Sequence, residues 1–268
     1  GGEALFRRDA GPLLPGTEHV PPPGLARRFF GEDGRAVERL ADYVDYVLEV
    51  QGDVGAVIAE PMRWTTVEPP PPGFWARVRA SCDRHGALLI FDEIPSCLGR
   101  TGTMFVTEQA GCCPDILVLG KGLGGAALPM AAILARPGLD RAGDRALGHY
   151  THEKSPLGCA AALATIAVIE EEGLLARARD LGARMLAELT AMVGRHACLS
   201  AARGLGLCLG LEVADAERAE RILYACLERG LSFKLGGGDV VTLCPPLTVA
   251  EAELDRALSI LDEAIALI

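Results

Sequence analysis

Only three of the chain's 26 basic residues are lysines: Lys121, Lys154 and Lys234. With arginine favoured so heavily, a position that keeps lysine is a candidate for chemistry a guanidinium cannot do. Lys121 stands in Leu117-Val-Leu-Gly-Lys-Gly-Leu-Gly-Gly125, where an apolar run delivers one amine into a loop of glycines. Partial desolvation there would favour the neutral nucleophile that a Schiff base requires, and the glycines would let a flat ligand approach the backbone. The plain alternative is a strand-end lysine reaching out to water.

A second chemical feature lies about thirty residues upstream, where Leu88-Leu-Ile-Phe91 closes in Asp92-Glu93. A carboxylate behind such an apolar barrier could keep a pyridinium nitrogen protonated, turning a cofactor ring into an electron sink. A helix-capping or ion-paired acid would look the same.

Other patterns are weaker. Gly120, Gly122 and Gly125 match G-x-G-x-x-G, with Asp140 as a conceivable ribose partner, but Pro129 and the β-like Ala131 to Leu134 leave no room for the helix that fingerprint needs. Gly122 also occupies the Ser/Thr position of a P-loop. His149, His152 and Glu153 fall in a loop without helical register, so no metal site is expected. Thr151, just before a helix start at Ser155-Pro156, is better placed to hold a phosphate.

The elements that would position these groups follow from periodicity. Helices are expected over 35–50, from Phe74 or Trp75 through Cys82, and over 155–172, 174–193, 216–229 and 250–267. Apolar runs at 54–59, 87–91, 115–119 and 130–135 read as buried strands, and 207–213 and 240–244 as isolated ones. Residues 1–34, rich in Gly and Pro, read as loop. Short apolar strands alternating with helices predict an α/β fold, a mostly parallel sheet covered on both faces, with ligands beyond the carboxyl ends of its strands. Asp92, Glu93 and Lys121 all sit at such ends. The expected domains are 1–193, including a linking helix, and a smaller α+β unit over 194–268.

Composition narrows the partners. The 268 residues are 50% hydrophobic and carry a net charge of −10, which argues against nucleic acid and anionic membranes. The longest uncharged apolar stretch, 155–169, falls short of the roughly 20 residues a bilayer requires. Nine cysteines without a C-x-x-C pair read as reduced core residues of a cytoplasmic protein.

Taken together, Ala56-Val-Ile-Ala-Glu-Pro61, Pro71-Pro-Gly-Phe74, Ala87-Leu-Leu-Ile-Phe-Asp-Glu-Ile94, Gly99-Arg-Thr-Gly102, Pro114-Asp-Ile116 and Gly120-Lys-Gly-Leu-Gly124 resemble the class III aminotransferases. The likeness continues through Cys159-Ala-Ala-Ala-Leu163, Arg203-Gly-Leu-Gly206 and Pro245-Pro-Leu247. It implies a fold type I, pyridoxal 5'-phosphate-dependent enzyme acting on a small amine or amino acid, a three-layer partial sheet with a C-terminal small domain, and a homodimer. It further implies that Lys121 is the Schiff-base lysine, Asp92 the partner of the pyridine nitrogen, Ile94 the residue on the ring face and Thr151 the contact to the neighbouring subunit's cofactor phosphate.

Departures from the family pattern bear on the reaction. Pro95 stands where members carry Gln, and Thr65 and Thr242 occupy the positions of an acid and an arginine that serve carboxylate substrates. Both halves of that pair are replaced together, which keeps elimination of ammonia open beside transamination. Gly2-Glu-Ala-Leu-Phe6, Gly16-Thr-Glu-His-Val20 and Gly148-His-Tyr-Thr-His-Glu-Lys154 resemble the hydroxy-aminoethylphosphonate ammonia-lyase subgroup. The chain opens on Gly1-Gly2 without Met. The family's upstream phosphate-binding turn and ring-stacking aromatic have no counterpart in it, so a truncated, catalytically silent piece is a third expectation.

Overall fold

The computed structural model describes residues 7–12, 14–145, 150–151 and 153–268. Two four-stranded sheets organise the chain. In the first, β1 (Ala56–Ala59), β2 (Leu88–Asp92) and β3 (Ile116–Leu119) run parallel, and β4 (Ala132–Ala135) is antiparallel to β3. In the second, β5 (Leu199–Leu205), β6 (Cys208–Val213), β8 (Val240–Leu243) and β7 (Lys234–Gly236) lie in that order, all antiparallel.

Helices cover the first sheet where their apolar stripes allow. In α2 (Ala36–Gln51), Leu40, Ala41, Val44 and Leu48 recur at three- and four-residue spacing and are buried; Gly52, at φ 69°, ends the helix in a left-handed turn. In α3 (Phe74–His85), Phe74, Trp75, Val78 and Cys82 form the matching stripe. Trp75 sets its ring edge-on to Phe91 of β2, 5.0 Å between centroids, and donates its indole N–H to the Pro61 carbonyl at 2.9 Å. One aromatic thereby ties the ends of β1 and β2 together. On this side Leu89, Phe91, Leu117 and Leu119 are buried; the opposite side leaves Ile58 65% and Ile133 67% exposed, so the third layer is partial.

The second core joins β5–β8 with α6 (Leu174–Arg195), α7 (Ala216–Glu228) and α8 (Glu251–Ile265), through residues such as Leu181, Met185, Leu211, Ile222, Val241 and Leu261. α5 (Pro156–Glu171) starts as its sequence predicts, with Ser155 capping through a bond accepted from the Gly158 N–H.

Four short elements depart from the periodicity reading. α1 (Ala26–Phe30) interrupts the expected 1–34 loop, and α4 (Thr107–Ala110), β5 and β7 have no counterpart in it. Each is too short or too polar to carry a period of its own; β5 and β7 exist because β6 and β8 offer them backbone partners.

Candidate active site

Parallel strands place their carboxyl ends side by side, and three ionisable residues leave the first sheet there: Glu60 after β1, Asp92 at the end of β2 and Lys121 after β3. They share one electrostatic neighbourhood centred on Glu60. Burial pushes the Glu60 carboxyl above its ordinary range; the Trp64 N–H, donated at 2.6 Å, opposes this, the Asp92 charge adds to it, and Arg63 and Lys121 pull back. Sequence reading missed Glu60, although the strand-end rule that singles out Asp92 and Lys121 applies equally to it.

Lys121 opens a 3₁₀ turn, Lys121–Gly124, with φ 46°, a left-handed conformation that costs a non-glycine residue about 1–3 kcal/mol. Such strain persists where surrounding structure enforces it. Here β3 delivers the chain, and Leu123 and Gly124 are buried beneath the turn. With Pro129, Met130 and Ala131, Lys121 lines an open cavity of about 490 Å³. The expected partial desolvation is not found: Lys121 is exposed, because the cavity it lines is open to solvent. No helix follows the glycines, only the 3₁₀ turn and then β4, and this removes the dinucleotide reading with its Asp140.

The acidic pair divides its labour. Asp92 stays half-buried at the strand end, where Oδ1 accepts the Ile94 N–H at 3.0 Å. Glu93 turns the other way into full burial and accepts the Val106 and Thr107 N–H groups, both at 2.7 Å, at the start of α4. Burial raises its pKa despite those two donors. Glu93 thus takes the helix-start role, while Asp92 stays at the strand end. Ile94 touches Gly120: a Cβ there would stand 3.2 Å from its Cγ2, so the glycine gives Ile94 its place beside Lys121.

Thr151 is exposed in the turn before α5 and does not line the Lys121 cavity. His149 and His152 lie outside the described residues; among the described residues no three His, Cys, Asp or Glu side chains are grouped to hold a metal.

The loop after Glu60 carries the site across to the second sheet. Thr65 and Thr242, distant in sequence, meet at Gly236: a Cβ on that glycine would lie 1.6 Å from the Thr65 carbonyl oxygen and 3.1 Å from Thr242 Oγ1. The two positions paired from sequence are thus neighbours in space.

The family described as Aminotransferase class-III matches residues 2–265. The chain belongs to the class III aminotransferases. It is 42% identical to the (R)-1-hydroxy-2-aminoethylphosphonate ammonia-lyase of Vibrio splendidus, over 99% of this chain and 60% of that protein. It is 38% identical to the acetylornithine aminotransferase of Methanopyrus kandleri, over 97% and 61%. Among solved structures, an aminotransferase of Bacillus anthracis superposes with a TM-score of 0.91 at 29% identity, over all of this chain and 65% of that one. An amine transaminase from an uncultivated Pseudomonas species in its PLP-bound form does so with 0.91 at 30%, over 99% and 65%. The chain thus spans about three-fifths of the length of the curated relatives it matches. The fold is that of these transaminases.

Proposed function

We propose that this protein is a pyridoxal-phosphate-dependent enzyme that releases ammonia from a small hydroxy-aminoalkylphosphonate, the hydroxyl beside the amine-bearing carbon leaving as water, instead of passing the amino group to a keto acid. The observation that carries the choice is the meeting of Thr65, through its backbone carbonyl, and Thr242 at Gly236: two neutral residues occupy the positions where the family resemblance implies an acid and an arginine for a carboxylate substrate. The similarity to the Vibrio splendidus ammonia-lyase supports the same reading.

The residues present fit the cofactor. Lys121 lines the cavity, Asp92 and Lys121 both act on the Glu60 carboxyl, and Gly120 leaves its backbone bare next to Ile94. Lys121 would hold the cofactor through its amine, Asp92 would face the ring nitrogen as a negative partner, and Ile94 would pack on one ring face. When bound, such a cofactor supplies an electron sink for charge developing at the amine-bearing carbon. Lys121 is then the group that would take the proton from that carbon, its aim set by the left-handed turn and by β3. Asp92, held by the Ile94 N–H, keeps a negative charge fixed at the strand end.

Thr151 is assigned to the cofactor of the second subunit in a homodimer. A cytoplasmic setting accords with nine free cysteines and with the lack, among the described residues, of any helix long and apolar enough to cross a membrane.

Turnover of a hydroxy-aminoalkylphosphonate by the intact protein, without any keto acid, tests the proposal. Continuous ammonia release is expected, together with a cofactor absorbance band that Lys121→Ala abolishes. A single equivalent of turnover that resumes only on adding 2-oxoglutarate refutes elimination, and a band unchanged in Lys121→Ala refutes the lysine assignment.

A further inference from the structure

Sequence reads the nine cysteines as reduced core residues, but strand register sets two of them apart. β6 pairs Leu209 with Leu243 of β8, so the next opposed positions are Cys208, which opens β6, and Cys244, which follows β8. Opposed antiparallel residues project to the same side, and here the two Sγ atoms lie 4.0 Å apart. One guanidinium brackets the pair. Arg100, in the loop after β2, donates to the carbonyl of Leu207, one residue before Cys208, and to that of Pro245, one residue after Cys244. The first sheet's own loop thus helps to hold the two backbones together, independent of any bond between the sulfurs.

The sulfurs differ in access. Cys208 is fully buried, whereas Cys244 is partly exposed. The Cys208 thiol pulls Cys244 below the ordinary thiol range against its burial, the Arg100 charge helping, and Cys208 is pushed well above that range. The accessible sulfur is therefore the one that favours the thiolate, the form that attacks a disulfide.

The pair also packs on the loop that leaves the candidate site. Cys208 shares a buried cluster with Met62, Val67 and Val106, against which Trp64 and Cys244 pack. Val67 is held at φ 49°, costly for a β-branched residue, and a Cβ on Gly210 would stand 2.8 Å from its Cβ. This loop has little slack. It begins at Glu60, whose carboxyl accepts the Trp64 N–H at 2.6 Å and is acted on by Asp92 and Lys121.

We propose that Cys208 and Cys244 form a reversible thiol–disulfide site, oxidised by small disulfides of the glutathione class, whose state is passed to the loop 61–68 beside the candidate site. The Cys244 thiolate attacks one sulfur of the small disulfide and expels the first thiolate; Cys208 loses its proton, attacks Cys244 Sγ and expels the second. One small disulfide is reduced to two thiols, which carry off the two electrons and two protons that the cysteines give up. Closure brings the sulfurs from 4.0 Å to about 2 Å. In a close-packed cluster such a shift gives up contacts, and the loop resting on them loosens. The site goes beyond the proposed function and does not depend on which reaction the protein catalyses.

Intact holoenzyme equilibrated with oxidised and reduced glutathione tests this, read by peptide mapping without reductant and by hydrogen exchange. A Cys208 to Cys244 cross-link that dithiothreitol reverses is expected. Exchange in residues 61–68 should be about five- to thirtyfold faster in the oxidised form, with α2 unchanged. Cys244→Ser and Cys208→Ala, treated alike, should keep the slow exchange; the two positions differ in burial, so the control does not depend on one replacement folding. Both thiols free while exposed Cys113 carries glutathione overturns the site. A cross-link that leaves exchange in 61–68 unchanged or slower, or equally fast exchange in the treated single-thiol variants, overturns the coupling to the loop.

Discussion

Replacing Asp115 tests how the strand that delivers Lys121 is held. Asp115 directly precedes β3. Its Oδ2 accepts the Leu89 N–H at 2.8 Å and Arg79 Nη1 at 2.6 Å, and its Oδ1 accepts Arg136 Nε at 2.5 Å. One carboxylate thus links β2, α3 and the residue after β4. Its side chain is 11% exposed and that of Arg79 16%, whereas Arg136 is 56% exposed. Asp115→Ala leaves the Leu89 N–H without that acceptor, at about 1–3 kcal/mol. It also strips a partner from a nearly buried arginine, where losses run to about 3–5 kcal/mol. Arg79 keeps Asp83 at 2.7 Å, and the exposed Arg136 contributes little. The expected total is therefore near the low end, about 3 kcal/mol, or about 1 M in the urea midpoint at a slope of about 3 kcal/mol/M. Asp115→Asn, which retains an acceptor for Leu89, should lose about half as much.

The pH dependence follows from the same contacts. Burial alone would raise the Asp115 pKa, but the Leu89 N–H, Arg79 and Arg136 outweigh it and the value is lowered. A depressed carboxylate contributes stability that is complete above its unfolded value, about 3.9, and is lost as pH falls through the lower folded value. The gap between wild type and Asp115→Asn should be widest at neutral pH and close below about pH 4. Midpoints for both variants within about 0.5 kcal/mol of wild type, or a gap that does not change with pH, would refute the reasoning.

Two further perturbations probe the second sheet and the loop packed on it. Gly236→Ala places a methyl on the Thr65 backbone, which cannot yield as a side-chain tip would; a loss of about 1–3 kcal/mol in thermal unfolding is expected, and wild-type stability would contradict the packing. Cys208 and Cys244 stand opposite each other one step beyond the Leu209 and Leu243 pair, with Sγ atoms 4.0 Å apart. Opposed antiparallel positions have Cα spacings of about 4.5–5.5 Å, within disulfide range. Oxidised glutathione should therefore join them, each bond formed releasing two reduced glutathiones; peptide mapping without reductant that finds both thiols free while exposed Cys113 has reacted would exclude it.

Much of the first sheet was legible because its helices and strands carry their own periods. α2 and α3 bury the residues at helical spacing, and β2 and β3 alternate along their length. The strand-end positions of Lys121 and Asp92 were legible for a related reason: each closes an apolar run that carries its own period. Three things could not be read. Local pattern cannot leave Asp92 at the strand end and send Glu93 to the α4 start, since neighbours on a strand differ only in the face they take. β5 and β7 have weak patterns and owe their existence to partners far away in the chain. The exposure of Lys121 depends on which surfaces surround its cavity, a property of packing and not of the glycine-rich segment itself.

By itself, then, the amino-acid order determined the longer helices, the apolar strands, and the amine and acid at their ends. Those depend on short-range periodicity and on residue chemistry, both written locally. Only the tertiary structure decided that Glu60 sits among Asp92, Lys121 and Arg63, and that Thr65 and Thr242 meet at Gly236. It also decided that Lys234 ends a row beginning at Arg203. Each of those contacts joins segments brought together by strand register and glycine close approach, which a linear pattern does not encode.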